Sequence, residues 1–271
     1  MRSKMSLFNL LSLVVGFSFL YLPILLLVIF SFNESRLVTV WSGFSVKWYA
    51  ELFANESILR AASMTLKVAL LSSTLATVLG TMAGLAMARY GQFRGRTLFN
   101  GMIYAPLVMP EVITGLSLLL MFVTISLDRG FLTITMAHTT FSMCYVAVVL
   151  QSRLSSFDRS IEEAAMDLGC PPAKTFFLIT LPIIFPAVAS GWLLSFTLSL
   201  DDLVIASFTS GPGATTLPMK IYSQMRLGVT PEINAVSTIL IGLVTCGVVI
   251  TSFLHKRRMR QSERNQHLAS M

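Results

Sequence analysis

Six predominantly apolar stretches divide the chain, at residues 7–32, 62–88, 99–126, 132–150, 183–208 and 235–254. A helix of about 20 apolar residues crosses the hydrocarbon core of a bilayer, where every backbone N–H and C=O must be satisfied inside the protein. The pattern predicts an all-α, polytopic membrane protein with six transmembrane helices. Charge agrees, since only 12% of residues are Asp, Glu, Lys or Arg, against about 25% in a soluble domain. With 271 residues, six spans leave space for loops and tails but for no large soluble domain, so residues 1–271 read as a single transmembrane domain. The first run follows Arg2 and Lys4, as in a signal peptide. It outlasts a ~7–15-residue signal core and no small-x-small cleavage site follows it, so it reads as a first membrane helix.

The basic residues fix an expected orientation. Arg2, Lys4, Arg89, Arg94, Arg96, Arg153, Arg159, Lys174, Lys256, Arg257, Arg258, Arg260 and Arg264 fall on one side of the predicted spans, thirteen in all. Seven fall on the other: Arg36, Lys47, Arg60, Lys67, Arg129, Lys220 and Arg226. Under the positive-inside rule the richer side is cytoplasmic, which puts both termini there. The basic tail after Leu254 then reads as the flank of the last helix, in contact with lipid headgroups, and not as a nucleic-acid patch. The net charge of +7 describes topology. Cys144, Cys170 and Cys246 lie far apart without metal spacing and read as free packing thiols.

Two segments are expected on the outer side. Residues 33–61 carry Trp41, Trp48, Tyr49 and Phe53 among isolated charges, which suits an interfacial stretch with its rings at headgroup level. Residues 209–234 hold Gly211-Pro212-Gly213, Leu217-Pro218 and Pro231-Glu232, the chemistry of an ordered loop. Either segment offers a docking place for an external partner.

The longest cytoplasmic connection, 151–182, is punctuated as structure. Ser160-x-x-Glu163 has the form of a capping box, Gly169 supplies a left-handed position after a helix, and Pro171-Pro172 stops its continuation. A two-turn helix over 161–168 is predicted. Ile161, Ala164, Ala165 and Leu168 share its apolar face, while Glu162, Glu163 and Asp167 project elsewhere. So short a helix gains most of its stability by packing into something else. A second short helix is expected from Pro172 to a stop at Pro182.

These residues carry a resemblance. Glu163-Ala164-Ala165, three residues, Gly169, nine residues, then Ile179-Thr180-Leu181-Pro182 matches without a gap the EAA loop of bacterial ABC-importer permeases. The stretches Trp192 to Phe208, Ser210 to Pro218, Pro231 to Ala235 and Ala105 to Gly115 are similar to the spermidine/putrescine permeases, and to the second permease of putrescine-type importers in particular. The resemblance implies a type I importer permease in the bacterial inner membrane and a coupling role for Glu162, Glu163, Ala164, Ala165, Asp167, Gly169 and Pro182. It also implies a cytoplasmic ATPase dimer that binds the ATP, a second homologous permease completing the pore, and a periplasmic polyamine-binding protein.

Moving a protonated polyamine through hydrocarbon requires acids or carbonyls lining a wet path. The spans offer Glu111, Asp201 and Asp202, with Trp192 as an aromatic able to face an ammonium. Each has a plainer reading. Pro110-Glu111 resembles a helix restart, one of the two aspartates is free to cap a broken helix, and Trp192, Tyr104 and Tyr145 suit packing. His138 reads as a satisfied core group, and Gly80-x-x-x-Gly84 as a close helix contact.

No G-x-x-x-x-G-K-[ST] occurs, so no phosphate-binding loop is present, and neither an acid/base pair nor a nucleophile with its base marks a catalytic site. The chain is expected to be neither an enzyme nor a cofactor binder. The alternatives are an ABC permease for iron, thiamine or an amino acid, and an ion-coupled secondary transporter, which would use intramembrane acids and an inverted repeat.

Overall fold

The computed structural model describes residues 6–36, 40–227, 231–242 and 245–246. Eleven named α-helices run through them: α1 (Leu7–Phe30), α2 (Lys47–Ala54), α3 (Glu56–Arg89), α4 (Arg96–Val108), α5 (Glu111–Thr124), α6 (Phe131–Ser155), α7 (Ser160–Asp167), α8 (Pro172–Thr175), α9 (Leu181–Asp201), α10 (Val204–Thr209) and α11 (Leu217–Leu227). Residues 231–242 are helical as well. The described residues contain four helices long and apolar enough to cross a membrane, and five spans if the bent pair α4 and α5 is taken as one. Of the expected span at 235–254, residues 235–242 and 245–246 are described, as helix, and the other half lies outside the described residues. Two compact units are formed, Ser57–Tyr222 in one, and the residues before and after it in the other.

In the unit formed by the residues before and after Ser57–Tyr222, α1 buries none of its 24 residues among the described residues, and at about 1.5 Å per residue it is long enough to cross a bilayer. The segment after it folds around Asn33. The Asn33 amide donates to the Val40 carbonyl (2.7 Å) and accepts from the Ser42 N–H (2.9 Å), while the Trp48 indole donates to the Asn33 carbonyl (2.6 Å). Trp48 is therefore buried, only 3% exposed. The interfacial reading of 33–61 fails for this residue, because its indole N–H has a better partner inside the loop than in the headgroups. Trp41 and Phe53 remain exposed.

In Ser57–Tyr222 the long α3 turns a stripe of small residues inward, among them Ala61, Thr65, Ala69, Ser72, Ala76, Gly80 and Gly84. Helices associate in lipid through such close packing. A Cβ at Gly80 would stand 2.6 Å from Val146 Cβ, and one at Gly84 2.8 Å from the Ala147 carbonyl oxygen; the glycines let α3 lie directly on α6. Val146, Leu150 and Leu154 of α6 also bury against Ile184 of α9, and Ala137 and Phe141 against Phe122 of α5 and Ile205 of α10.

Three expectations are corrected. Residues 99–126 are not one straight span: α4 and α5 meet at 117°. Pro110 holds Met109 extended (ψ 141°) and ends α4, and α5 restarts with Glu111 in its first turn. The predicted stop at Pro182 does not occur. A π-helical turn, Phe176–Thr180, joins α8 to α9, so that helix runs through Pro172–Asp201. Proline cannot donate to a carbonyl four residues back and its ring crowds that carbonyl; a widened turn just before Pro182 accommodates both effects. Finally, 209–234 is not only loop, since Leu217–Leu227 is helical, with Pro218 in its first turn. The three cysteines are free thiols.

Candidate functional site

The fifth apolar stretch breaks where its two aspartates lie. Helix α9 ends at Asp201, Asp202 is extended (ψ 122°), and α10 starts again at Val204. Asp202 explains the restart. Its carboxylate accepts from the N–H groups of Ala206 (2.7 Å) and Ile205 (3.3 Å), satisfying donors that a new helix leaves open.

The same carboxylate receives His138 from α6. His138 is 2% exposed, with Nε2 3.1 Å from Asp202 Oδ2 and Nδ1 2.7 Å from Ser199 Oγ. A carboxylate only accepts, so Nε2 carries a proton toward Asp202, while Nδ1 is hydrogen-bonded to the Ser199 hydroxyl. Ser199 in turn accepts from Ser72 of α3 at 3.1 Å. One hydrogen-bonded chain, Ser72 to Ser199 to His138 to Asp202, thus ties α3, α6, α9 and α10 together in a buried setting where an unpaired polar group is expensive.

Asp201 stands outside this network and is exposed. Glu111 is also exposed, at the first turn of α5. Trp192 is occupied: its indole donates to Thr74 Oγ1 (3.2 Å) and its ring stacks on Phe196 at 5.2 Å. Of the four acids and aromatics singled out in the sequence, Asp202 and Trp192 have structural partners, while Asp201 and Glu111 keep exposed carboxylates.

The second candidate region is α7 and its flanks. Gly169 has φ +85°, the left-handed position predicted for it, and its N–H and that of Cys170 return to the carbonyls of Met166 (2.9 Å) and Ala165 (3.0 Å). The capping box does not form. Asp158 Oδ1 accepts the Ser160 N–H at 3.0 Å, and hydrogen bonds with Ser160 hold the Asp158 carboxyl below the usual range. Glu163 turns to Arg159 one turn back, at 3.1 Å, an exposed i,i+4 pair of small energetic weight.

Glu162 does not project outward. It is the one buried residue of α7. Its Oε2 lies 2.9 Å from Arg89 Nε at the end of α3, and its Oε1 accepts from Thr180 Oγ1 at 2.7 Å. The opposite character belongs to Ile161, 44% exposed, and Leu168, 90% exposed, with Ala164, Glu163, Asp167, Gly169 and Pro182 also exposed and Ala165 half-buried. Among the described residues, the apolar face of α7 is thus uncovered apart from Ala165. Sequence reasoning missed His138 as a hub, along with Ser72, Ser199, Arg89 and Thr180. The available signal was a polar run, Thr133, Thr135, His138, Thr139 and Ser142, buried inside a span.

Comparison with known proteins assigns the family. Residues 80–260 match the binding-protein-dependent transport system inner membrane component. The chain is 56% identical over 259 residues to the putrescine transport system permease protein PotI of Escherichia coli (strain K12), covering 93% of this chain and 92% of that protein. It is 41% identical over 244 residues to the spermidine/putrescine transport system permease protein PotC of the same strain, covering 90% and 92%. A bacterial ABC transporter involved in the import of the acidic polysaccharide alginate matches in structure with a TM-score of 0.71 at 14% identity, covering 93% of this chain and 98% of that one. The alginate transporter in complex with a pentasaccharide-bound periplasmic protein also gives 0.71, at 19% identity, covering 93% and 94%; at such identities the likeness concerns the fold alone. With most of its length matched by the family and more than half of its residues shared with one permease, this chain belongs to the inner-membrane components of binding-protein-dependent transport systems, the multi-pass membrane permeases of ABC importers.

Proposed function

We propose that this chain is one of two different permease subunits of a bacterial inner-membrane importer for polyamines, with putrescine as its substrate. The identity of 56% across 93% of the chain to a putrescine permease carries this reading. In it both termini are cytoplasmic, six helices cross the membrane, a second homologous permease completes the pore, and a periplasmic binding protein delivers the polyamine.

Energy enters through α7. The exposed Ile161, Ala164 and Leu168 form the face that seats in a cytoplasmic ATPase of the ABC type, and Glu163, Ala165, Asp167 and Gly169 shape the helix for that groove. An uncovered apolar strip on so short a helix is the kind of surface that a partner completes. ATP is bound by that partner, in keeping with the missing phosphate-binding loop in this chain.

Asp201 is the favoured substrate contact. With Asp202 engaged by His138 and by the backbone of α10, the neighbouring carboxylate is the one free to meet an ammonium group, and a broken helix in a wet cavity is where a charge in the bilayer is tolerated. Glu111, at another helix break, is a second acid for the path, and the Trp192 ring, anchored by Thr74, a wall of it.

The test is reconstitution. The chain, its partner permease, the ATPase and the binding protein are placed in proteoliposomes, and ATP-dependent uptake of putrescine and spermidine is compared. Uptake of putrescine above spermidine is expected; uptake of neither would overturn the assignment.

A further inference from the structure

The acid at 162 lies off the apolar face of the docking helix and turns inside. Glu162 is 9% exposed, the single buried side chain of α7, and each of its oxygens is committed to a different helix. Oε2 pairs with Arg89 Nε, in the last residue of α3. Oε1 accepts from Thr180 Oγ1, in the last residue of the π-helical turn that opens into α9. The Arg89 guanidinium also covers the Phe157 ring at 5.4 Å, in the link between α6 and α7. Three long helices thus converge on one carboxylate.

The hydroxyl of Thr180 does not make the bond usual for a helical threonine. Thr74, Thr77, Thr135 and Thr139 each return their proton to the carbonyl four residues back, as such side chains do in helices. Thr180 gives its proton to Glu162 instead. Thr180 is the last residue of the widened turn before Pro182, so the backbone irregularity and the ion pair meet at one residue.

Stability alone gives little reason to keep such a pair. A buried ion pair is often no better than apolar residues of the same volume, whereas it fixes the relative position of its partners in a way that alanine and leucine contacts do not. We infer that Glu162 is a positioning residue: with Arg89 and Thr180 it forms an internal joint through which displacement of α7 reaches the ends of α3 and α9 together, and it does not touch the ATPase. This rests on the reading that α7 docks on an ATPase.

The experiment uses the complete reconstituted complex and measures putrescine uptake and ATP hydrolysis side by side. Glu162→Gln should leave the ATPase bound and hydrolysing while putrescine moved per ATP falls about fivefold or more, the size of an ordinary coupling free energy. Thr180→Val keeps the shape, removes one hydrogen bond, and should shift the same ratio in the same direction; it decides the matter if Glu162→Gln does not assemble. Exchanging the pair, Arg89→Glu with Glu162→Arg, should recover more of the ratio than either exchange alone. An unchanged ratio in both Glu162→Gln and Thr180→Val, or loss of the ATPase from the assembled permease pair, overturns the joint. The docking reading fails separately, if Leu168→Asp still holds the ATPase and transports normally.

Discussion

His138 Nε2 and Asp202 Oδ2 lie 3.1 Å apart across α6 and the break after α9, and this pair decides what each neighbouring aspartate can do. The His138 ring, held from behind by Ser199, occupies one side of the Asp202 carboxylate while two α10 N–H groups also donate to it. Asp202 has three of its four acceptor sites filled, whereas no described side chain pairs with Asp201.

Removing the Asp202 side chain should therefore act on stability. Asp202→Ala would leave His138 Nε2 and the first N–H groups of α10 without their acceptor, and an unsatisfied buried donor costs about 1–3 kcal/mol. We expect a lower thermal midpoint for the purified permease pair, with Asp202→Asn milder because the amide oxygen still accepts. An Asp202→Ala protein as stable as the parent would show that the network contributes nothing.

Asp201→Asn should behave in the opposite way. Its carboxylate is exposed at the end of α9, so assembly and thermal midpoint are expected to hold. The putrescine concentration giving half-maximal uptake should rise about tenfold, as one charged hydrogen bond of ~1.5 kcal/mol is lost. Uptake kinetics identical to the parent would exclude Asp201 from the path.

How much of this was legible depended on the range of the interaction. The spans at 7–32, 62–88 and 132–150 were plain because burial in lipid imposes a continuous apolar run, and Gly169 was plain because a left-handed turn selects its residue locally. Ser160-x-x-Glu163 shows the limit of local patterns: the motif is present, yet Asp158 and Arg159, two near neighbours, compete successfully for both of its groups. The partners of Glu162, Arg89 and Thr180, were not legible, because in the sequence Arg89 counts only as a topology charge. His138 was correctly expected to be satisfied, but its partners lie 61 and 64 residues away, beyond any spacing rule. The 117° bend at Pro110 follows the same logic. Proline announces a break, while the direction comes from packing, with Gly115 so close to Phe208 of α10 that a Cβ would stand 2.7 Å from its ring.

The contact of α3 with α6 gives a prediction about packing. Gly80→Leu must displace Val146 and the backbone of Met143, both within 2.8 Å of a new Cβ; inserting bulk into a close-packed interior costs about 1–3 kcal/mol or more. A sharp loss of folded protein from detergent extracts is expected, seen by size-exclusion chromatography. Gly101→Ala on α4, where a Cβ meets nothing within 4 Å, should be neutral or slightly stabilising. Equal tolerance at both positions would contradict the helix contact.

The uncovered face of α7 leads to the last prediction. Leu168 is 90% exposed and Glu163 is paired only with Arg159 at the surface, so neither supports the fold of this chain. Glu163→Lys places two positive charges side by side on the docking helix, and Gly169→Asp forces a β-carbon into the left-handed turn that ends it, at a cost of about 1 kcal/mol. Both proteins should reach the membrane in normal amounts, because the spans are untouched. ATP-dependent putrescine uptake should drop to background, with ATP hydrolysis by the complex no longer stimulated by the loaded binding protein. Measuring membrane abundance and uptake in the same vesicles separates the two effects: full abundance with no transport places the defect at the ATPase contact, whereas retained transport in both variants removes α7 from the coupling path.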